Sequence, residues 1–259
     1  MNNTIIGIII AIVVILGGAY LITKNTKTTN NTTNISETNN NEPTPTPLKT
    51  EGKVIYSITD ATADLSTISE INMTVTSTEM HSEANGWTTV TTTPYTYNLL
   101  ALKANNENSF LASISAPTGT YDQVRLMVSS VMIKMKNGTV KEAKLPSGEL
   151  KINTVLVVSN GETSSVNFDF MASKSLHVTG NGGYIFAPVV KTETKSSASV
   201  DIDTNNVVKI GGGHTDSDDT NGMDIDGTVK LNFELNTNAK FDVIDNIIKV
   251  KSVSSGSVY

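Results

Sequence analysis

Cysteine is absent from the 259-residue chain, which excludes disulfide bridges, thiolate nucleophiles and zinc sites built on sulfur ligands. Charged residues make up only 17% of the chain, the formal net charge is -6, and no basic face or stripe occurs, so nucleic-acid binding is not expected. Histidine occurs three times, without a Gly-x-Ser-x-Gly motif or a phosphate-binding loop. The sequence therefore predicts no catalytic residues and no enzyme.

The N-terminus contains a long apolar run that predicts a membrane span within residues 1–23. Residues 4–23, "TIIGIIIAIVVILGGAYLIT", carry no charge, and about 20 apolar residues suffice to cross a bilayer. A cleaved signal peptide is the alternative, with Gly17 and Ala19 as small residues before a cut. We favour a retained transmembrane helix, because no lysine or arginine precedes the run and the run exceeds the usual signal core of about 7–15 residues.

Residues 24–50 form a polar segment rich in Thr, Asn and Pro, which predicts a disordered stalk. Acceptor tripeptides for N-glycosylation start at Asn30, Asn31 and Asn34, although asparagine-rich sequence also produces such tripeptides by chance. Lys24 and Lys27 favour a cytoplasmic location for this side of the span, whereas stalks of this composition usually hold a domain away from a cell surface. We expect the folded domain to be extracellular.

From residue 52 onward, apolar and polar residues alternate with period two, which predicts strands. Asn85-Gly86 predicts a hairpin turn, and "YNLLALKANN" predicts a short helix or turn. Strands at this spacing favour an antiparallel β-sandwich of immunoglobulin-like or transthyretin-like type over residues 51–191. Residues 192–259 predict a small all-β extension whose strands pack onto the first domain or pair with its edges. In it, Val229, Leu231, Phe233 and Leu235 are expected to share one face of a strand.

A small set of aromatic residues offers a candidate platform for a surface glycan or a protein. It comprises Trp87, Tyr95, Tyr97 and Tyr121, with Arg125 nearby in the sequence. The alternative places these rings in the core, where large aromatic side chains usually pack. The alternation in "GTYDQVRL" predicts that Tyr121 and Arg125 share an open face of a strand, and Arg125 is expected to pair with a carboxylate.

Residues 211–227, "GGGHTDSDDTNGMDIDG", are the other candidate site, predicted to be an acidic loop. Asp216, Asp218, Asp224 and Asp226 alternate in two pairs, as calcium-binding carboxylates often do. The EF-hand pattern is not matched, since Asn221 stands where a glycine belongs and Gly227 where a glutamate belongs. A solvated linker between two strands is the alternative, and calcium is the only cofactor for which the sequence offers candidate ligands.

Several segments between residues 52 and 191 resemble a family of prokaryotic proteins, domain of unknown function 4382. In family order these are "GKVIYSITDA", Trp87, "YNLLAL", "APTGTYDQVRLMV", "GELKI", "FDFMASKSLHVTG" and "GYIFAPVVK". The resemblance implies a β-sandwich domain of a secreted or membrane-anchored surface protein, and it implies no enzymatic activity. The chain departs from the lipoproteins of that family because it has no cysteine for lipidation.

Together these features predict a membrane-anchored cell-surface protein with a non-catalytic role in binding, adhesion or envelope structure. One alternative is a filament subunit that self-assembles by strand complementation, with "PLKTEGKVIYS" or "NIIKVKSVSSGSVY" as the donor strand. Another is a calcium-binding accessory domain of an envelope hydrolase.

Overall fold

Two β-sheets face each other across an apolar core in the computed structural model, which describes residues 50–60, 65–235, 240–245 and 247–251. The elements in chain order are β1 (Glu51–Thr59), β2 (Ile68–Ser82), β3 (Gly86–Thr91), β4 (Tyr95–Asn98), α1 (Leu99–Asn105), β5 (Ser109–Pro117), β6 (Gly119–Met135), β7 (Val140–Lys144), β8 (Glu149–Val158), β9 (Thr163–Phe170), α2 (Ala172–Ser175), β10 (Leu176–Val178), β11 (Tyr184–Phe186), β12 (Val189–Ser196), β13 (Ser199–Ile202), β14 (Val208–Gly211), β15 (His214–Met223), β16 (Val229–Leu231), β17 (Lys240–Ile244) and β18 (Ile247–Lys251).

The first sheet has six strands in the order β16-β15-β12-β9-β1-β5. Strand β1, which lies beside the edge strand β5, pairs in parallel with β9 and antiparallel with β5. The second sheet has eight strands, with β10-β11-β7-β6-β2-β3 as its main path, β4 paired to β2 and β8 paired to β6. Strand β11 pairs in parallel with β7. Both sheets are therefore mixed, which differs from the purely antiparallel order that the strand spacing predicts.

The core lies between the inward faces of the two sheets, and the predicted all-β sandwich is confirmed. Tyr56 of β1 stacks on Phe168 of β9 with ring centroids 6.4 Å apart, and the Tyr56 hydroxyl donates to the Met80 sulfur of the other sheet at 3.1 Å. Burial raises the pKa of this hydroxyl far above its ordinary value, so the phenol stays protonated. The period-two pattern forms this core because alternate residues of each strand point to it.

Strands β12, β15 and β16 complete the first sheet, whereas β13 and β14 pair with each other in a separate hairpin. Strand β12 pairs with β9, and β15 pairs with β12. The predicted acidic loop 211–227 is therefore wrong over most of its length, because His214–Met223 is a paired strand. The predicted strand "VKLNFEL" is too long: it ends at Leu231, since Asn232 adopts a left-handed conformation with φ 53°.

Two smaller features border the sandwich. Helix α1 confirms the predicted short helix; the Asn98 side chain caps its start by accepting the Ala101 N–H at 3.3 Å. Strands β17 and β18 form a separate hairpin, and Phe241 of this hairpin is buried against Ile185.

No helix in the described part of the chain is long and apolar enough to cross a membrane. The predicted span at residues 4–23 and the predicted stalk up to residue 49 lie outside the described residues.

Candidate functional site

The candidate site lies on the outer face of the eight-stranded sheet, where β3, β2, β6 and β8 run side by side. Residues such as Met80 and Val124 are fully buried on the inner face, so their sequence neighbours point outward. The strand register then brings His81 opposite Trp87 on one side and opposite Gln123 on the other. Cross-strand neighbours on one face interact directly, so the register builds a continuous surface.

Trp87 is the aromatic centre of this surface. Trp87 is 39% exposed, although large aromatic residues usually pack in a core. The Arg125 guanidinium carbon lies 3.9 Å from the centre of the Trp87 ring, and the His81 ring lies 5.0 Å from it. A guanidinium over an indole face is a favourable cation–π arrangement that fixes the ring orientation. Trp87 is therefore held in place while a large part of it faces solvent.

Arg125 is itself held by two carboxylates from the neighbouring strands. Its Nη1 donates to Glu79 of β2 at 3.3 Å, and its Nε lies 2.7 Å from Glu149 of β8. The second contact is an ion pair without directed hydrogen-bond geometry. Lys151 also approaches Glu149, at 3.6 Å. The predicted pairing of Arg125 with a carboxylate is confirmed, and the guanidinium group lies over the Trp87 ring at the same time.

Polar side chains extend the surface from Trp87 toward β8. Gln123 donates to Asn153 through their side-chain amides at 2.7 Å, and His81 Nδ1 lies 2.7 Å from Asp122. Beside the amide pair is a groove of about 310 Å³. The groove is lined by Gln123, Ser147, Glu149, Lys151, Asn153, Gly227, Thr228 and Val229. An exposed ring and a polar groove thus adjoin on one face.

A larger groove, of about 520 Å³, lies beside β7 and the hairpin strand β17. The described residues that line it include Glu142, Lys144 and Val243 but no aromatic side chain and no arginine. Volume alone does not recognise a ligand, whereas an ordered aromatic ring with adjacent hydrogen-bonding groups can. We therefore place the candidate site at Trp87.

The predicted platform of four aromatic residues is not one surface. Tyr97 is 2% exposed, and burial raises the pKa of its hydroxyl above the ordinary value. Tyr95 is 55% exposed, and its ring is tilted against the Tyr97 ring at 55°, with ring centroids 4.8 Å apart. These two residues pair with Val75 and Met73, whose side chains point into the core, so they face the opposite side of the sheet from Trp87.

Tyr121 also differs from its expected position. The pairing of β6 with β8 shifts register between Tyr121 and Gln123, where β6 advances by two residues and β8 by three. The alternation of inward and outward side chains in β6 breaks at this point, since both Tyr121 and Val124 are buried. Tyr121 is consequently 1% exposed, and its hydroxyl donates to the carbonyl of Pro117 at 3.0 Å. The core interpretation is thus correct for Tyr97 and Tyr121 and wrong for Trp87 and Tyr95.

The first pair of candidate calcium ligands has protein partners. The Asp216 carboxylate accepts the Val157 N–H at 3.2 Å and the Ser196 hydroxyl at 2.8 Å. Asp218 forms an ion pair with Lys191 at 3.0 Å. These contacts attach β15 to its neighbours and use the carboxylate oxygens that calcium would need.

The second pair of candidate calcium ligands, Asp224 and Asp226, makes its contacts within the turn between β15 and β16 and at the start of β16. Asp224 accepts the Ile225 N–H at 2.7 Å and pairs with Lys230 at 2.7 Å. Asp226 accepts both the hydroxyl and the N–H of Thr228, and these hydrogen bonds hold the pKa of its carboxyl below the ordinary value. Nowhere in the described ranges do three acidic or histidine side chains gather so that they could hold a metal ion. The convergence on which the calcium prediction depends is therefore not found.

Sequence reasoning found Trp87, Arg125 and the outward position of Gln123 but missed the carboxylates that hold Arg125. Glu79 and Glu149 occupy outward positions of β2 and β8, and their alternation with buried residues is the available signal. Strand register, which sequence alone does not supply, is what brings them together.

Comparison with known proteins identifies a family but no characterised relative. No curated protein matches the chain, and neither does any solved structure. The family model named Domain of unknown function (DUF4382) matches residues 51–188, more than half of the chain, and this range contains Trp87 and the side chains that hold it. The chain belongs to the DUF4382 family.

Proposed function

We propose that the protein is a membrane-anchored, non-catalytic binding module of the cell surface and that its ligand is a neutral carbohydrate. The observation that carries the proposal is the stack of Arg125 on the exposed Trp87 ring. The uncharged run at residues 4–23 and the polar segment at 24–50 support the anchor and the extracellular location.

An exposed indole suits a sugar because a pyranose ring presents C–H groups on its faces and hydroxyl groups at its rim. The Trp87 ring supplies an apolar surface, and the adjacent Gln123 and Asn153 supply amide donors and acceptors. Arg125 restrains the indole before a ligand arrives, which reduces the entropy lost on binding. The surface is therefore organised for recognition of a polyhydroxylated ring.

The charges around Trp87 favour a neutral ligand over an anionic one. Glu79 and Glu149 flank Arg125, and the second cation, Lys151, also contacts Glu149. Asp122, beside His81, adds a further carboxylate. Because each cation already has a carboxylate partner, a sulfated or uronic acid glycan would meet repulsion rather than an open positive site.

The two alternatives receive less support from the geometry. Donation of the segment around β1 to another copy would remove a strand that is paired on both edges within its own chain. Strand β18 pairs with β17, and the residues after Lys251 lie outside the described part of the chain. For a calcium-dependent accessory role, no cluster of three acidic or histidine side chains that could hold the ion is found among the residues that the structure describes. We therefore prefer the binding module.

The test uses the full chain in detergent micelles, screened against neutral and acidic oligosaccharides. Trp87 is the only tryptophan of the chain, so a bound sugar should change its fluorescence directly. Calorimetry on the Trp87→Ala variant should show affinity reduced by about tenfold or more, as for a central aromatic contact.

Tyr95→Ala is the matched control, because Tyr95 is more exposed than Trp87 but faces the other side of the sheet. Its affinity should equal that of the unmodified protein. Equal losses in both variants, preference for acidic sugars, or no binding to any glycan would each contradict the proposal.

A further inference from the structure

Two tripeptides of the form Asn-x-Thr occur in the folded domain, outside the predicted stalk. They begin at Asn72 and at Asn137, with Thr74 and Thr139 as their third residues. Both match the acceptor pattern for N-glycosylation, which requires the asparagine to lie on an accessible surface loop. The fold treats the two tripeptides very differently.

Asn137 lies at the tip of the turn between β6 and β7 and is exposed. The Gly138 N–H closes the turn on the Met135 carbonyl at 2.9 Å, and Gly138 has φ 86°, a conformation that favours glycine. The Asn137 Oδ1 accepts the Thr139 N–H at 3.0 Å. This bond folds the acceptor tripeptide into a compact turn, and Nδ2 has no hydrogen-bond partner among the described residues.

Asn72, in contrast, lies within β2, which is paired on both sides. It is opposite Asn98 of β4 and Met132 of β6, and its Nδ2 donates to the Glu70 carboxylate at 2.9 Å. The Thr74 hydroxyl is hydrogen-bonded to another threonine hydroxyl. A transferase could reach this tripeptide only after β2 had left both of its neighbours.

We propose that Asn137 is an N-glycosylation site and that Asn72 is not. The inference rests on the extracellular placement in the proposed function. In the reaction, Nδ2 of Asn137 attacks the anomeric carbon of a lipid-linked oligosaccharide, the co-reactant. A C–N bond forms, the C–O bond to the lipid phosphate breaks, the phosphate leaves with the electron pair, and the amide nitrogen loses one proton to a base of the transferase.

The location of Asn137 is compatible with ligand binding at Trp87. Gln123, which adjoins the Trp87 surface, lies near the start of β6, whereas Asn137 follows its end. At about 3.3 Å per residue the two positions are separated by about 45 Å along the strand. An oligosaccharide on Asn137 would therefore leave the Trp87 surface open.

The experiment expresses the full chain in a host that N-glycosylates exported proteins, with a known glycoprotein as reporter, and maps its peptides by mass spectrometry. We expect glycan mass on the peptide that contains Asn137. It should disappear in Asn137→Gln and also in Thr139→Ala, which retains the asparagine. Asn72→Gln, the matched control, should leave the pattern unchanged.

Three results would overturn the proposal, and they have different meanings. An unmodified Asn137 with glycan on the stalk residues Asn30, Asn31 or Asn34 would refute the site but leave the extracellular placement intact. No glycan anywhere, in cells whose reporter is modified, would refute the site and the placement together. Glycan on Asn72 would refute the claim that the fold selects between the tripeptides. Sugar binding at Trp87 is measured separately, so its failure is not confused with any of these.

Discussion

Replacement of Asp216 by alanine should destabilise the protein because this carboxylate joins the two sheets. It lies on β15 of the first sheet and accepts the N–H of Val157 on β8 of the second, together with the hydroxyl of Ser196 on β12. Hydrogen bonds to a charged group contribute about 1.5–3 kcal/mol each, and the lower part of this range applies to a partly exposed site. We expect Asp216→Ala to reduce the free energy of unfolding by about 2–3 kcal/mol.

Asp218→Ala is the matched control, two residues further along the same strand. The Asp218 side chain is 47% exposed and pairs with Lys191, whose side chain is 43% exposed. An exposed ion pair contributes about 0–1 kcal/mol, so this variant should be close to the unmodified protein. Urea denaturation with an unchanged slope measures both differences. If the two variants lose the same stability, our assignment of Asp216 as a bridge between the sheets is incorrect.

The same pair of variants tests calcium binding. A ligand bound only by the folded protein raises its melting temperature, and such a rise would disappear in both variants if both carboxylates were ligands. Because the four aspartates have separate partners, we expect the melting temperature to be the same in millimolar calcium and in chelator. A calcium-dependent rise that either substitution abolishes would refute this expectation.

Two further substitutions test packing and burial. A Cβ on Gly222 would lie 1.9 Å from the Phe233 carbonyl oxygen, so Gly222→Ala should reduce the free energy of unfolding by about 3 kcal/mol or more in urea denaturation. The control Gly211→Ala should be neutral or slightly stabilising, because the nearest atom is 4.0 Å from its Cβ and Gly211 has no left-handed φ; equal losses in both variants would contradict the close contact. Burial lowers the pKa of His177, which Glu234 partly opposes, so the unfolded chain binds more protons than the folded one as the pH falls below about 6.5. The free energy of unfolding should therefore decrease as the pH falls below about 6.5, the ordinary pKa of histidine, and His177→Phe should remove this decrease; an identical pH dependence in both proteins would contradict the effect.

The elements that sequence predicts well are those with strong local signals. Strand β2 alternates buried and outward residues over most of its length, and Asn85-Gly86 forms the turn into β3. Helix α1 lies where three leucines break the alternation, and it begins at the capping Asn98. These features depend on residues close in the chain, which is why the sequence alone predicts them.

The faces of the long strands are less predictable because β-bulges change them. Strand β2 shifts register between Val75 and Ser77, and β6 shifts between Tyr121 and Gln123. Each shift moves the following side chains to the other face, so residues that alternate in the sequence do not remain on one surface. The shift in β2 is what separates Trp87 from Tyr95, although both are on strands that pair with β2.

The acidic strand β15 was unpredictable for a different reason, since its buried side is polar. Ser217 and Asn221 point inward from β15, and the Asn221 side chain donates to the Asn153 carbonyl of β8 at 3.2 Å. The Thr194 hydroxyl of β12 likewise donates to the Val155 carbonyl of β8. One edge of β8 pairs with no other strand in the described residues, and these polar side chains satisfy its backbone groups. Because the inward side chains of β15 are polar, hydrophobic periodicity cannot detect β15 as a strand.

The side-chain contacts of Asp216, Asn221 and Thr194 with β8 connect the acidic strand β15 to the candidate site. The composition of residues 211–227 does not suggest this connection. Asn153 is shared: its backbone carbonyl accepts from Asn221 of β15, and its side chain accepts from Gln123 on the surface beside Trp87. Glu149, which holds Arg125, lies on the same strand. Strand β8 is fixed on one edge by β6 and on the other by side chains of β12 and β15. Loss of these side-chain contacts should therefore loosen the surface around Trp87 as well as the fold. We therefore expect Asp216→Ala to weaken sugar binding at Trp87 without any contact between Asp216 and the ligand.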